Sequence, residues 1–519
     1  MNGAEALLKT LIDSNIEVCF ANPGTSEMHL VSAIGRTESM RPVLCLFEGV
    51  VTGAADGYAR MSDKAAITLL HLGPGLANGM ANLHNAKKAH VPLINIVGDH
   101  APYHLQYDAP LTSDVIAHAE INSAWVKVAT SADDLSQAGA EAVAAAYEGD
   151  GKIATLIAPA NFAWEEAGGA AEAITRQPVE KADKAALDQA AELLRNGKKT
   201  AFVLGGRAMR NEATTIVAEI AKQTGATLFC ETFPARIERG AGRVDVPRIP
   251  YFAEQAVGVL GEFEQFIVIC SQTPAAFFAY PDLPGLLVPE GAVVHLAIER
   301  DQNVVEGLTR LADLLGIHAF EPARQEHLPP QEASGELTTA AIGDTICRLM
   351  PAGAILSDEG ITAGAEVFQR TAAAKAHDWL AITGGAIGQG LPVSLGAAIA
   401  CPDRKVVALQ ADGSAMYTVQ ALWSMAREHT DVTVVLLNND SYAILNVELM
   451  RLKAESPNDK TLSMLDLSKP SLNWQEIAEG MGVSATRAAT AEAFSEQFAK
   501  AMSSKGPHLI EALVKPPSF

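Results

Sequence analysis

A chain of 519 residues is too long for one hydrophobic core, and with 48% apolar and 19% charged residues it has the composition of a multidomain globular protein. Its formal charge of −22 argues against a nucleic-acid partner, since no basic patch is there to neutralise phosphates. The cysteines at 19, 45, 230, 270, 347 and 401 form no CxxC pair, so isolated thiols in a reducing compartment are expected rather than a disulfide frame or a zinc site.

In chain order, the pattern opens with an amphipathic helix over Ala4–Ile12 and shows no signal peptide. Apolar runs of strand length follow at Val18–Ala21, Val43–Phe47, Ala66–Leu70, Leu93–Val97 and Ala154–Ile157, alternating with helical patterns. That alternation predicts a parallel sheet wrapped by helices, a first domain over residues 1–172. After the polar stretch Thr175–Lys184, the runs Thr200–Leu204, Phe266–Cys270 and Val293–Ala297 predict a central domain over 183–320. Phe320–Gly335 is rich in Pro, Glu and Gln without periodicity and is expected to be a linker. A third domain over 336–519 carries the strands Ile355–Ser357, Val406–Gln410 and Val432–Asn438. The expected fold is α/β, with three doubly wound parallel-sheet domains. Gly384–Ala400 is broken by glycines, Gln389 and Pro392, no apolar run reaches membrane-spanning length, and the expected location is cytoplasmic.

The segment Lys405–Ser414 runs from a buried strand into Asp412–Gly413–Ser414, and a helical pattern follows over Thr418–Glu428. The next strand ends in Asn438–Asn439. In a parallel sheet with right-handed crossovers both strand ends lie on the carboxyl edge, so Asp412 and Asn439 can converge. Magnesium there would take a carboxylate oxygen from Asp412, an amide oxygen from Asn439 and the main-chain carbonyl of Ser441, with phosphate and water completing the shell. The amides after Gly413 would face the phosphate. A plain strand–turn–helix with Asp412 as a cap is the alternative. Earlier, Leu44–Val51 places Glu48 at the end of an apolar strand, where a carboxylate is costly to bury without a partner. An exposed glutamate starting the helix of Ala54–Ala59 is equally open.

The pair Asp412–Gly413 and Asn438–Asn439 resembles the GDG…NN signature of thiamine-diphosphate enzymes, with Ala411 in place of the first glycine. The resemblance spans nearly the whole chain and points to the benzoylformate decarboxylase branch of the acetolactate synthase and pyruvate decarboxylase superfamily. It implies pyrimidine-binding, central and diphosphate-binding domains, in that order. It also implies that Glu48 hydrogen-bonds the aminopyrimidine of thiamine diphosphate and so promotes formation of its nucleophilic ylide. In the family these two outer domains meet across a subunit interface, which makes a homodimer the minimum unit and a homotetramer the expected assembly.

Asn22–Pro23–Gly24–Thr25–Ser26–Glu27 resembles the family's NPGSNE loop, with Thr25 at the substrate-contacting serine and Asn22, Pro23 and Gly24 at the cofactor. Leu70–Gly75 resembles the loop whose histidine carries a proton to and from substrate, which is His71 here. Asn78, Ile361, Thr362, Gly413, Ser414 and Tyr442 fall at other cofactor-contacting positions. In Gly384–Gly388, the Gly385 carbonyl would meet the aminopyrimidine and Ile387 would wedge between the cofactor rings; a core isoleucine in a buried strand is the plain alternative.

The departures matter too. Thr273–Tyr280 holds no counterpart of the family's second catalytic histidine, and Phe278 is the candidate substrate contact there. Where pyruvate decarboxylase has a histidine pair and a later glutamate, this chain has Asp99–His100 and Leu445, leaving His100 and His104 as further proton donors. Glu448 stands at a substrate-facing position, where a carboxylate disfavours an anionic substrate tail unless it is paired, and pointing to solvent is the other option. Gly205–Gly206–Arg207 is a short glycine turn in the central block, too weak a signal for FAD, and none is expected.

The implied activity is magnesium-dependent, non-oxidative decarboxylation of a small 2-oxo acid through an enamine. An acetolactate-type carboligase joining that enamine to a second carbonyl is the alternative. A cofactor-binding but inactive relative is disfavoured by the presence of Glu48, Asp412 and Asn439, and a nicotinamide dehydrogenase by the lack of a GxGxxG after the first strand.

Overall fold

In the computed structural model, which describes residues 1–452 and 458–515, the strands gather into three sheets. The first holds β1 (Val18–Asn22), β2 (Arg41–Leu44), β3 (Ala66–Leu70), β4 (Leu93–Asp99), β5 (Trp125–Val128) and β6 (Ile153–Pro159), all parallel, in the order β2-β1-β3-β4-β6-β5. Next in the chain come β7 (Thr200–Leu204), β8 (Thr227–Cys230), β9 (Ile237–Arg239), β10 (Gln265–Ile269) and β11 (Val293–Ile298). Four of these make the second sheet, β11-β10-β7-β8, while β9 leaves it to pair antiparallel with the third. That third sheet adds β12 (Ile355–Glu359), β13 (His377–Ala381), β14 (Val406–Ala411), β15 (Val432–Asn438), β16 (Ser484–Ala488) and β17 (His508–Leu513), in the order β16-β17-β15-β14-β12-β13-β9.

Numbered within its own block, the third sheet repeats the first, strand for strand, and the second sheet keeps the first four places of the same order. Each sheet therefore reverses direction between its first and third strands: at β1/β3, β7/β10 and β12/β14. In such sheets ligands collect beyond the carboxyl ends of the strands at that reversal. The central strands are wholly buried apolar runs, as a sheet covered on both faces requires.

The outer sheets face each other through helices. The helix Glu48–Ser62 lies against Gly390–Ala400, and a Cβ on Gly396 would stand 1.8 Å from the Ala54 carbonyl oxygen, so only glycine permits that approach. Arg60, bound to Asp56 at 2.7 Å, also donates to the Ala381 carbonyl across the same boundary, again at 2.7 Å.

Two expectations are corrected. The second strand ends at Leu44, not Phe47, and Glu48 opens a helix. β2 is an edge strand with Pro42 in it, and past Leu44 it leaves the ladder. The helix expected over Thr418–Glu428 is shorter, Ala421–Arg427, and a separate single turn, Asp412–Ala415, precedes it. Between them Thr418 donates its hydroxyl to the Gly388 carbonyl at 2.9 Å, which ties the break to the turn opposite.

Candidate functional site

The buried carboxylate of Glu48 sits on the first residue of its helix, so it is neither a strand end nor exposed. Asn78 donates to its Oε2 at 3.0 Å. Its Oε1 faces the bare Cα of Gly75: a Cβ there would lie 3.3 Å from Oε1 and 3.4 Å from the Cβ of His71. Gly75 thus stands between the Glu48 carboxylate and the Cβ of His71.

His71 follows β3, beside the end of β1 that carries Asn22, Pro23 and Gly24. Its Nδ1 lies 2.8 Å from Oε2 of Glu27, a carboxylate with no solvent exposure. A carboxylate accepts, so Nδ1 carries the proton and Nε2 is the nitrogen left for chemistry. Gly24 donates its amide to the same Oε2 at 2.7 Å, and Ser26 donates to Oε1 at 2.5 Å while standing 3.3 Å from Nδ1. Sequence reasoning passed over Glu27. It stands in the sequence only as the last residue of the Asn22–Glu27 stretch, and only the fold aims it at His71. Ser26, rather than Thr25, reaches the histidine; Thr25 is exposed.

His100 and His104 follow β4 on the same sheet edge and pair with each other, ring centroids 5.3 Å apart, with Tyr107 5.6 Å from His104. The Nε2 of His100 is buried and has no hydrogen-bond partner in the structure.

On the third sheet, Asp412 is buried, and its carboxylate accepts from the Gly413 amide at 2.7 Å and the Asn439 amide at 3.1 Å. The two strand ends do meet. Burial pushes the Asp412 carboxyl up from its ordinary range, the backbone amides opposing this. The amide oxygen of Asn439 accepts from the Ser441 N–H at 3.0 Å, folding the Asn439–Ser441 turn. Among the described residues no three His, Cys, Asp or Glu side chains gather as a metal cluster. A cation here would rest on one carboxylate plus amide, main-chain and phosphate oxygens, which is the donor set magnesium favours when it binds with a phosphate ligand.

Ser414 receives a hydrogen bond from Gln410 at 2.7 Å, and the Tyr442 ring covers Gly413, where a Cβ would stand 2.5 Å from it. Ile361 holds φ of 50°, a left-handed conformation costly for a β-branched residue, at the carboxyl end of β12 beside Thr362. Ile387 is half-buried in a loop, not in a strand. Gly385, with φ of 72°, lies under the ring of Phe277, which the sequence analysis missed in favour of the more exposed Phe278. Glu448 does not point to solvent: Tyr280 donates to it at 3.2 Å and Arg451 stands 3.8 Å away. Leu445, one turn earlier, is exposed. In the second sheet the turn Gly205–Gly206–Arg207 is met by Glu231, whose carboxylate lies 2.7 Å from where a Gly205 Cβ would stand and pairs with Arg300 at 2.7 Å.

The N-terminal TPP-binding domain of thiamine pyrophosphate enzymes matches residues 1–119 and the C-terminal TPP-binding domain matches residues 362–512. A Mycobacterium tuberculosis protein named as a candidate acetolactate synthase large subunit, IlvX, is 47% identical over 99% of both chains. Benzoylformate decarboxylase of Pseudomonas aeruginosa is 27% identical over 95% of each. Among solved structures, the thiamine diphosphate-dependent 4-hydroxybenzoylformate decarboxylase of Rhodococcus jostii RHA1 superposes over the full length of both chains with a TM-score of 0.84 at 24% identity, which is a likeness of fold.

Proposed function

The chain belongs to the thiamine pyrophosphate enzymes of the decarboxylase and acetolactate synthase family, and on that premise we propose that it decarboxylates a small 2-oxo acid and releases an aldehyde, with magnesium as the second cofactor. One observation supports this reading: His71, held at Nδ1 by the buried Glu27, has its Cβ across Gly75 from the Glu48 carboxylate, which puts a held histidine next to the candidate activating carboxylate.

The residues fit the cofactor. Asp412, Asn439 and Ser441 would hold the metal, Ser414, Gly413, Ile361, Thr362 and Tyr442 would surround the diphosphate, and Asn22, Pro23, Gly24, Asn78, Gly385 and Ile387 would take the rings. When bound, thiamine diphosphate supplies the electron sink that accepts the pair released as carbon dioxide leaves. Glu48 holds a proton at the pyrimidine, oriented by Asn78. Glu27 accepts the Nδ1 proton of His71 and so leaves Nε2 free to take up a proton from solvent and pass it to the substrate-derived carbon. His100 and His104 form the second donor pair. Thr25, Phe278, Leu445 and Glu448 border the acyl group, and the tie to Tyr280 and Arg451 removes the electrostatic objection to a substrate anion near Glu448.

Replacing Glu27 with glutamine is expected to lower kcat by about 10- to 100-fold, the usual cost of losing the partner that orients a functional histidine. A kcat within a few-fold of the wild type removes His71 from the proton path.

A carboligase fate is the second reading, favoured by the 47% identity to the candidate acetolactate synthase subunit. Incubating the holoenzyme with a panel of 2-oxo acids and separating aldehyde from 2-hydroxyketone decides between them: aldehyde is expected, and 2-hydroxyketone as the sole product overturns it. FAD is not part of the reading: the short turn Gly205–Gly206–Arg207 is its one sequence cue, and that turn is abutted by Glu231, paired with Arg300 at 2.7 Å. Exposed apolar side chains on the site loops, Leu46, Tyr107, Tyr417 and Leu445, support a homo-oligomer in which a second copy covers them. No helix among the described residues is long and apolar enough to cross a membrane.

A further inference from the structure

Glu359, the last residue of β12, lies in the stretch Asp358–Thr362 that resembles the family's diphosphate-contacting segment, yet it is almost wholly buried, at 1% exposure. Among the described residues no cation pairs with it. Its carboxylate accepts instead from main-chain amides of one short turn: from Gly388 at 2.5 Å to Oε1, and from Gly390 to Oε2. The Gln389 amide between them adds a third interaction. Gln410 donates to Oε2 at 3.2 Å, and the same side-chain amide donates to Ser414. Successive amides pointing at one anion make a nest, and a bare carboxylate is tolerated at that depth only when so satisfied.

The turn it grips carries Ile387. The residues on both sides of Ile387 are tied by hydrogen bonds. Asn85 donates to the Ala386 carbonyl at 2.7 Å and accepts from the Ala386 amide at 3.2 Å. The Gly388 carbonyl accepts from Asn82 at 3.1 Å and Thr418 at 2.9 Å. Asn82 donates in turn to the Gly49 carbonyl at 2.7 Å, on the residue after Glu48. Gly388 holds φ of 94°, a conformation that only glycine adopts readily. With its neighbours held on both sides, the backbone at Ile387 is fixed in direction. Glu359 is the acidic member of the set, its carboxyl pushed up to about 7 by burial against the opposing amides, and it reaches both ends of Gly388–Gly390.

We propose that Glu359 is a positioning residue for the cofactor: its carboxylate fixes the amides of Gly388–Gly390, and through them seats Ile387 and the Gly385 carbonyl, while Gln410 couples the same carboxylate to Ser414 at the diphosphate turn. This rests on the assignment of thiamine diphosphate to the site. A wedge that must fit between two rings tolerates little displacement, on the order of 0.5 Å. Gly390 follows from the same geometry, since a Cβ there would lie 2.4 Å from Gln410 Oε1 and 2.8 Å from the Glu359 side chain.

The test uses the full chain with thiamine diphosphate and magnesium, comparing wild type, Glu359→Gln and Gly390→Ala by calorimetric titration, near-ultraviolet circular dichroism of the bound cofactor, and far-ultraviolet melting. Both variants are expected to keep their secondary structure, to weaken cofactor binding by about 10- to 100-fold, and to change the cofactor's dichroism at saturation. A carboxylate that only stabilises the turn would leave the saturated spectrum untouched. Unchanged affinity and spectrum in Glu359→Gln overturn the proposal, as does loss of secondary structure in both variants, since the carboxylate would then hold the fold and not the site. Failure of the wild type to bind the cofactor is a different result, and it strikes at the cofactor assignment itself.

Discussion

Glu48→Gln is expected to bind thiamine diphosphate and yet lose roughly 10²- to 10⁴-fold in kcat, the range set by removal of a positioned acid–base group. The side chain's shape survives the change. Asn78 still has an oxygen to donate to, and Gly75 still leaves the second terminal atom free. What is lost is a carboxyl that can take and return a proton at the pyrimidine. Because the helix Glu48–Ser62 is anchored by its packing on Gly390–Ala400 and by the Arg60–Asp56 pair, far-ultraviolet melting should hardly move. Single-turnover carbon dioxide release on the cofactor-saturated variant makes the measurement. Turnover within a few-fold of wild type would mean that Glu48 is a structural carboxylate.

Asp412→Asn should act on binding instead of on chemistry. The aspartate is the buried carboxylate at the meeting of β14 and β15, with Asp440 beside it in the following turn, and both its oxygens already face amides. An asparagine there brings an NH₂ group against an N–H donor and removes a full charge from the candidate ion site. Magnesium-dependent cofactor affinity is expected to fall by more than about 100-fold, beyond the loss typical of an outer-shell partner. Titrating the cofactor at several magnesium concentrations checks this, and an unchanged magnesium dependence would place the ion elsewhere. Apoprotein melting should be unchanged or higher, since burying that charge without a cation is itself costly.

The sequence by itself was enough for the strands of the covered sheet centres and for the motifs at their ends. β3, β7, β14 and β15 are continuous apolar runs, because a strand buried on both faces has no polar side to blur the pattern. Asp412 and Asn439 were legible as a pair for a topological reason: parallel strands joined by right-handed crossovers put their carboxyl ends on one edge, and the Asp412–Asn439 hydrogen bond follows.

Other strands escaped that reading. β5 and β16, at sheet edges, and β17 beside β16 mix polar and apolar residues, and β9 is three residues that acquire a partner only when the chain crosses to the third sheet. Glu27 and Glu359 escaped as well, though both are fully or almost fully buried carboxylates. In sequence a glutamate in a turn or at a strand end looks solvated. Its value here depends on long-range partners, His71 at 44 residues' distance and Gly388 at 29, which only the folded chain brings within hydrogen-bond reach. Local pattern records which face of an element is apolar; it carries no record of which buried polar groups will find each other, and that is decided by how the sheets pack.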